Sequence, residues 1–232
     1  MSTRILGILT ALLLLSACGA SVNPILQNRI AGSFNKKSTT AYDAGGMFEK
    51  PMPFAVGQYL VLGTTDGDNH MIHRTALVGK DGDAWIMETT SLTPSEETMT
   101  QMAVSGMEKV QQTLNTDDLD IKWIKLRDKD GKVQTLDGMT LSLVKGSYSK
   151  ALTGIAMQFS PELGMATVGV PAGTFNGCTK AISKVETFFG DYESESYLHP
   201  KVPLSGLVRS VSKDNGAVTE LLDFGTDAKP SF

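Results

Sequence analysis

The chain is poor in the residues that carry chemistry. Its 232 residues include two cysteines, three histidines and two tryptophans. Two cysteines cannot build the dense disulfide framework of a small secreted scaffold, so the fold must stand on an apolar core. Lysine and arginine number 21 against 25 aspartates and glutamates, a net charge of −4, and no basic run stands out. That balance disfavours a nucleic-acid-binding face and adhesion to anionic lipid through the chain's own side chains. A G-x-S-x-G elbow, a Gly-rich phosphate loop and an H-E-x-x-H zinc pair are also missing. After the first 17 residues no apolar run approaches the ~20 positions that a membrane span needs.

What the chain does have begins at residue 4. Arg4 is followed by an apolar run from Ile5 to Leu15, eleven residues and too short to cross a bilayer. A basic start, a short apolar centre and a small-residue exit are the parts of a secretory signal. Leu15-Ser16-Ala17-Cys18 resembles the lipobox of bacterial lipoproteins. The resemblance implies that the Cys18 thiol takes a diacylglyceryl group and that cleavage falls just before it. It further implies sorting by the next residue: Gly19 stands where an aspartate would favour the inner membrane, so the outer membrane is favoured, with the folded part in the periplasm. Two or more acyl chains anchor stably where one does not, so the expected membrane contact is through N-terminal lipid. An ordinary signal with an incidental cysteine, or a buried helix, is the alternative.

Residues 1–17 are therefore expected to be a signal peptide and 18–53 a lipidated flexible tether. One domain would then occupy 54–232. The 232 residues less the first 17 leave 215, enough for one sizeable core. The tether is polar and small, centred on "SFNKKSTTAYDAGG", with a short helical turn at Ile25 to Ile30. As a flexible chain of some 35 residues it would hold the domain roughly 30 to 35 Å from the bilayer.

From Phe54 onward, Asp/Gly clusters separate short runs that read as an antiparallel meander: Gln58 to Thr64, Met71 to Val78 and Ala84 to Thr90. Side chains alternate, so Trp85 and Met87 point one way, Ala84 and Ile86 the other. A sheet apolar on both sides must be covered on both sides or curl around something. Thr93, Pro94 and Glu96 then have the form of a helix start. Met99, Met102, Ala103, Gly106, Val110 and Leu114 follow at three- and four-residue steps, predicting a helix from Pro94 to Leu114 with a break at Gly106. "LDIKWIKLR" and "KVQTL" read as strands about a "DKDG" turn. Gly138 to Phe159 fits either a hairpin into "MTLSLV" or a helix in its second half. The C-terminal third returns to strands, "MATVGV", a Pro-Ala-Gly bend, a long strand through Cys178, "YESESYL", "LVRSVSK" and "AVTELLDF", the last two joined by "DNG". The fold class is α+β, a curved, mostly antiparallel sheet with one to three covering helices.

The segments "FAVGQYLVLG", "DAWIMETT", "VPAGTFNGC", "VPLSGLVRS" and "LLDFG" resemble, in order and spacing, a loose set of uncharacterised bacterial envelope proteins. Those are similar to the Lol-type (LolA/LolB-like) lipoprotein carriers. The resemblance implies an unclosed half-barrel with helices in its mouth and a concave apolar cavity able to accept acyl chains. No ligand-contacting position carries over. The candidate lining residues are Trp85, Met87, Met99, Met102 and Trp123, since flexible thioethers suit a cavity that adapts to apolar ligands. They equally suit an irregular core.

Other motifs carry less. His70 and His73 lie three apart on a strand and so face opposite sides, which prevents them from sharing a metal. The Asp-rich stretches at 66–68, 81–83 and 128–131 lack the glycine and glutamate positions of a calcium loop and read as hairpin turns. Cys178 has no partner within the chain once Cys18 carries lipid, and burial is its expected fate. No metal, cofactor or catalytic set is expected. Two readings stand: a non-catalytic lipoprotein holding a hydrophobic small-molecule or lipid ligand, or an envelope module binding a protein partner.

Overall fold

The computed structural model describes residues 22–113, 118–128, 130–142, 145, 164–187 and 190–232. Residues 1–21, with the signal and Cys18, lie outside that set, as does most of the ambiguous stretch up to Phe159. In order, the elements are α1 (Pro24–Asn35), β1 (Ala41–Asp43), β2 (Tyr59–Asp66), β3 (Asn69–Asp81), β4 (Ala84–Leu92) and β5 (Glu97–Ser105). Then follow α2 (Met107–Thr113), β6 (Asp120–Arg127), β7 (Val133–Leu136), β8 (Met165–Val170) and β9 (Gly173–Thr187). The chain closes with β10 (Gly190–Leu198), β11 (Leu207–Ser212) and β12 (Val218–Gly225).

These strands form one open 12-stranded sheet in the order β1-β9-β10-β11-β12-β2-β3-β4-β5-β6-β7, with β8 paired to β9 off that path. Pairing is antiparallel except for β1 on β9. The long β9 holds β10 along Thr179 to Thr187 and β1 along Thr174 to Asn176, while β8 takes its other edge. A mostly β, open sheet with few helices agrees with the expected α+β class. The hairpins sit where Asp-Gly and Asn-Gly pairs predicted them, with Gly67, Gly82 and Gly216 all at positive φ.

The helix expected from Pro94 to Leu114 does not form. Residues 97–105 are strand β5, paired with β4 on one side and β6 on the other, and only Met107–Thr113 is helical. The Thr93 signal serves a turn: its Oγ1 accepts from the Ser95 and Glu96 amides at 3.4 and 3.1 Å, and its own N–H donates to the Glu96 carbonyl at 2.9 Å. β5 is buried on both faces from Gln101 to Ser105, so it lacks the period of two that marks a half-exposed strand. Gly106, the expected break in that helix, is where β5 gives way to α2. Gly106 sits at φ +83, and a Cβ there would lie 2.0 Å from the Asp118 carbonyl oxygen.

The tether boundary is also corrected. α1 lies against the sheet with Ile30 buried among Ile72, Leu92 and Leu222. Its Phe34 ring covers Gly63, where an added Cβ would come within 2.5 Å of it. Tyr42 on β1 stacks on Phe175 at 4.7 Å, and Phe48 is buried with its N–H donating to Thr179 Oγ1. Residues 24–53 are thus part of the domain. Residues 138–142 are helical and place Leu141 in the core, so the hairpin alternative for this start does not form; the helix in the second half lies outside the described residues.

Candidate functional site

The two faces of β2–β7 differ in kind. One face presents Leu60, Leu77, Trp85, Met87, Met102, Val104, Ile121, Ile124 and Leu136 to the main core, which Met107 and Val110 of α2 also enter. Val168, Phe175 and Val208 extend that core beneath the β8–β9 arm. Three of the five expected lining residues are here. Trp85, Met87 and Met102 keep 5, 2 and 4 % of their surface, less than a wall open to a ligand-sized space would show. They are buried members of the main core cluster rather than partly accessible lining. Trp85 is further held by its Nε1–H donating to Glu108 Oε1 at 2.6 Å, by Lys80 over its ring at 4.0 Å and by Phe54 edge-on.

Trp123 and Met99 go elsewhere. Trp123 pairs with Ala103 on the opposite face, is half-buried, and donates to Asp81 Oδ2 at 2.8 Å with Lys125 over its ring. Met99 lies at the end of β5 and lines two clefts. One, of about 480 Å³, is shared with Asn23, Leu26, Glu97 and Arg127; the other, of about 710 Å³, with Leu126, Lys132 and Val133. The five residues therefore do not converge on one site.

The opposite face carries a polar cluster that pattern reading missed. Glu88 on β4 is completely buried, opposite Ala76 and Gln101. Its carboxylate accepts from the Ser231 amide at 2.9 Å and the Ser231 hydroxyl at 2.8 Å, with Arg74 Nη1 at 3.5 Å. Arg127 donates to the Ser231 carbonyl at 2.6 Å and stacks over Phe232 at 4.4 Å. Arg74 also lies over Tyr59, whose phenol is raised above its ordinary value by burial and then by the Asp223 and Asp227 carboxylates. The tail after β12 is thus clasped across the sheet, starting where Ala228 N–H meets the Gly57 carbonyl. One signal was available: Glu88 is the only charged residue in "AWIMETT", a run otherwise apolar or neutral.

Cys178 is fully buried and burial pushes its thiol up to about 12, which leaves it without nucleophilic character near neutrality. His199 is buried edge-on against Phe175, and its Nδ1 accepts from the Lys201 amide at 3.2 Å. Burial lowers its pKa, opposed by the Asn176 and Tyr42 carbonyls. His70 bonds Thr65 and His73 bonds Ser91, so the two histidines have separate partners. Among the described residues no three histidine, cysteine or acidic side chains are gathered as metal ligands, and no helix is long and apolar enough to cross a membrane.

No family model matches the chain, and no curated protein matches it. Among solved structures it is similar to a protein from Parabacteroides distasonis named provisionally as a lipoprotein. That likeness has 13 % identity and a TM-score of 0.32, covering 75 % of this chain and 97 % of the other. At that TM-score it carries no inference about activity.

Proposed function

We propose that the chain is an exported lipoprotein, anchored through Cys18 to the bacterial envelope, that works by binding a protein partner. It acts without catalysis or cofactor, its folded part in the periplasm and its lipid in the outer membrane. The anchoring half of this reading is supported by the Leu15-Ser16-Ala17-Cys18 motif behind a short apolar run. The observation that carries the other half is the burial of Trp85, Met87 and Met102, which keep 5, 2 and 4 % of their surface. A half-barrel that carries acyl chains needs lining residues open to its hollow, and the burial of these three among apolar neighbours supports the other reading.

The hydrophobic-ligand reading keeps one supporting observation, the placement of Met99, Leu126 and Val133 on the cleft of about 710 Å³. Mass spectrometry of the lipidated protein separates the two, read alongside crosslinking in the producing cell. One dominant protein crosslink with no non-covalent lipid supports the module. A stoichiometric co-purified acyl compound overturns it in favour of the carrier. In the same spectra the N-terminal peptide should begin at Cys18 and carry acyl mass, and an unmodified Cys18 refutes the anchor.

A further inference from the structure

The packing of α1 shortens the tether and so orients the domain. Asn23 is fixed at the β4–β5 turn: its N–H donates to the Pro94 carbonyl at 2.8 Å and its side chain caps Ile25 at 3.0 Å. One turn further on, Arg29 grips Glu97 through two bonds of 2.7 and 3.1 Å. Asn23 lies five positions after Cys18, and that length of chain reaches at most about 17 Å. Lipid on Cys18 would therefore hold this turn at the membrane surface.

Sheet register puts other turns beside it. Ile72 pairs with Leu92, Met99 with Arg127 and Val218 with Thr65. The connections at 66–69, 93–96, 128–132 and 213–217 therefore share one end of the sheet, and Asn215 reaches Asp66 across two of them. The turn at 82–83 is at the other end of the 13-residue β3, about 40 Å away at the rise of a strand. Val22 and Ile25, next to the anchor, are 55 and 70 % exposed.

We propose that this end of the sheet rests on a lipid bilayer. Val22 and Ile25 enter the boundary between headgroups and acyl chains, and the far end projects away from the membrane. The proposal rests on lipidation of Cys18. The surface it fits is zwitterionic: among the described residues of these turns Asp66, Asp68, Glu96, Asp128, Asp130 and Asp214 outnumber Lys132 and Lys213, which anionic lipid would repel. Exposed apolar side chains near an anchor bind such an interface through buried area alone.

The test uses the full lipidated chain in phosphatidylcholine vesicles carrying a quencher on the headgroup. Reporter thiols are placed by Asp68→Cys or Asp83→Cys; Cys178, buried and with a raised pKa, stays unlabelled. Quenching should be several-fold stronger at position 68 than at position 83. Equal or reversed quenching on vesicles that float with the protein overturns the orientation. Failure to float refutes lipidation itself, a separate result. Val22→Ser with Ile25→Ser should weaken quenching at position 68 without releasing the protein, and an unchanged signal overturns the insertion of these side chains.

Discussion

The two faces of the β2–β7 sheet are covered by different means. On the inner face apolar side chains meet apolar side chains, and Ile124 and Leu77 keep none of their surface. On the outer face the cover is added from the chain's two ends. α1 packs Ile30 and Phe34 at one end of the strands, and the tail sets Ser231 on Glu88 further along. The first face is held by dispersion and desolvation, which tolerate little change in volume. The second is held in part by apolar contact under α1 and in part by directed bonds to a buried carboxylate, which tolerate no loss of partners. Removing a group from either face should therefore fail differently.

The largest effect is expected in the inner core. Phe175 is fully buried between Tyr42 and His199, and Phe175→Ala should cost about 3 to 5 kcal/mol. Chemical denaturation measures it; a loss below about 1 kcal/mol would mean the core collapses around the vacancy. Next comes Glu88→Ala, which leaves Arg74 and the Ser231 donors without their acceptor. About 2 kcal/mol is expected, because Arg74 is partly exposed and regains water. Limited proteolysis should then clip the chain after Gly225, whereas Phe175→Ala should leave that site no more sensitive than the rest.

His199 sharpens the contrast through pH. Its folded pKa lies below the ordinary 6.5, so below pH 6.5 the unfolded chain binds a proton that the folded one refuses. Stability should fall as pH drops from 6.5 toward the lowered value. His199→Gln should flatten that part of the profile even if it lowers stability throughout; an unaltered slope would show that other groups set it. The smallest effect is assigned to the exposed Arg29–Glu97 pair. The Arg29 bond holds the Glu97 carboxyl below its ordinary 4.5, so its stabilisation is present above that value and lost as pH falls through the lowered one. Arg29→Ala should cost under about 1 kcal/mol. A larger loss would show that α1 depends on this pair rather than on Ile30.

Legibility followed local chemistry. The β2–β3, β3–β4 and β11–β12 hairpins were visible because Asp-Gly and Asn-Gly pairs specify backbone that few other residues adopt. β5 has the pattern of a helix because burial on both faces removes alternation, and Met99, Met102 and Ala103 then match a helical spacing by coincidence. α1 was half seen, as a turn at Ile25 to Ile30, because its apolar stripe is narrow and its partners, Ile72, Leu92 and Leu222, are distant in sequence. The candidate lining residues divided for the same reason: Trp85 and Met87 share a face by alternation, but which face is filled depends on β8, α2 and Phe175.

The amino-acid order alone determined where strands turn, that both faces of the central sheet would be apolar enough to need cover, and that a cysteine follows an export-like run. Those are properties of neighbouring residues, fixed by backbone sterics and side-chain alternation. Only the tertiary structure decided that residues 24–53 are cover rather than tether, that Glu88 is buried and clasped by Ser231, and that Trp85, Met87 and Met102 are buried in the main core. Each of these contacts joins groups far apart in the chain, whose contact free energy exists only once the sheet has brought them together.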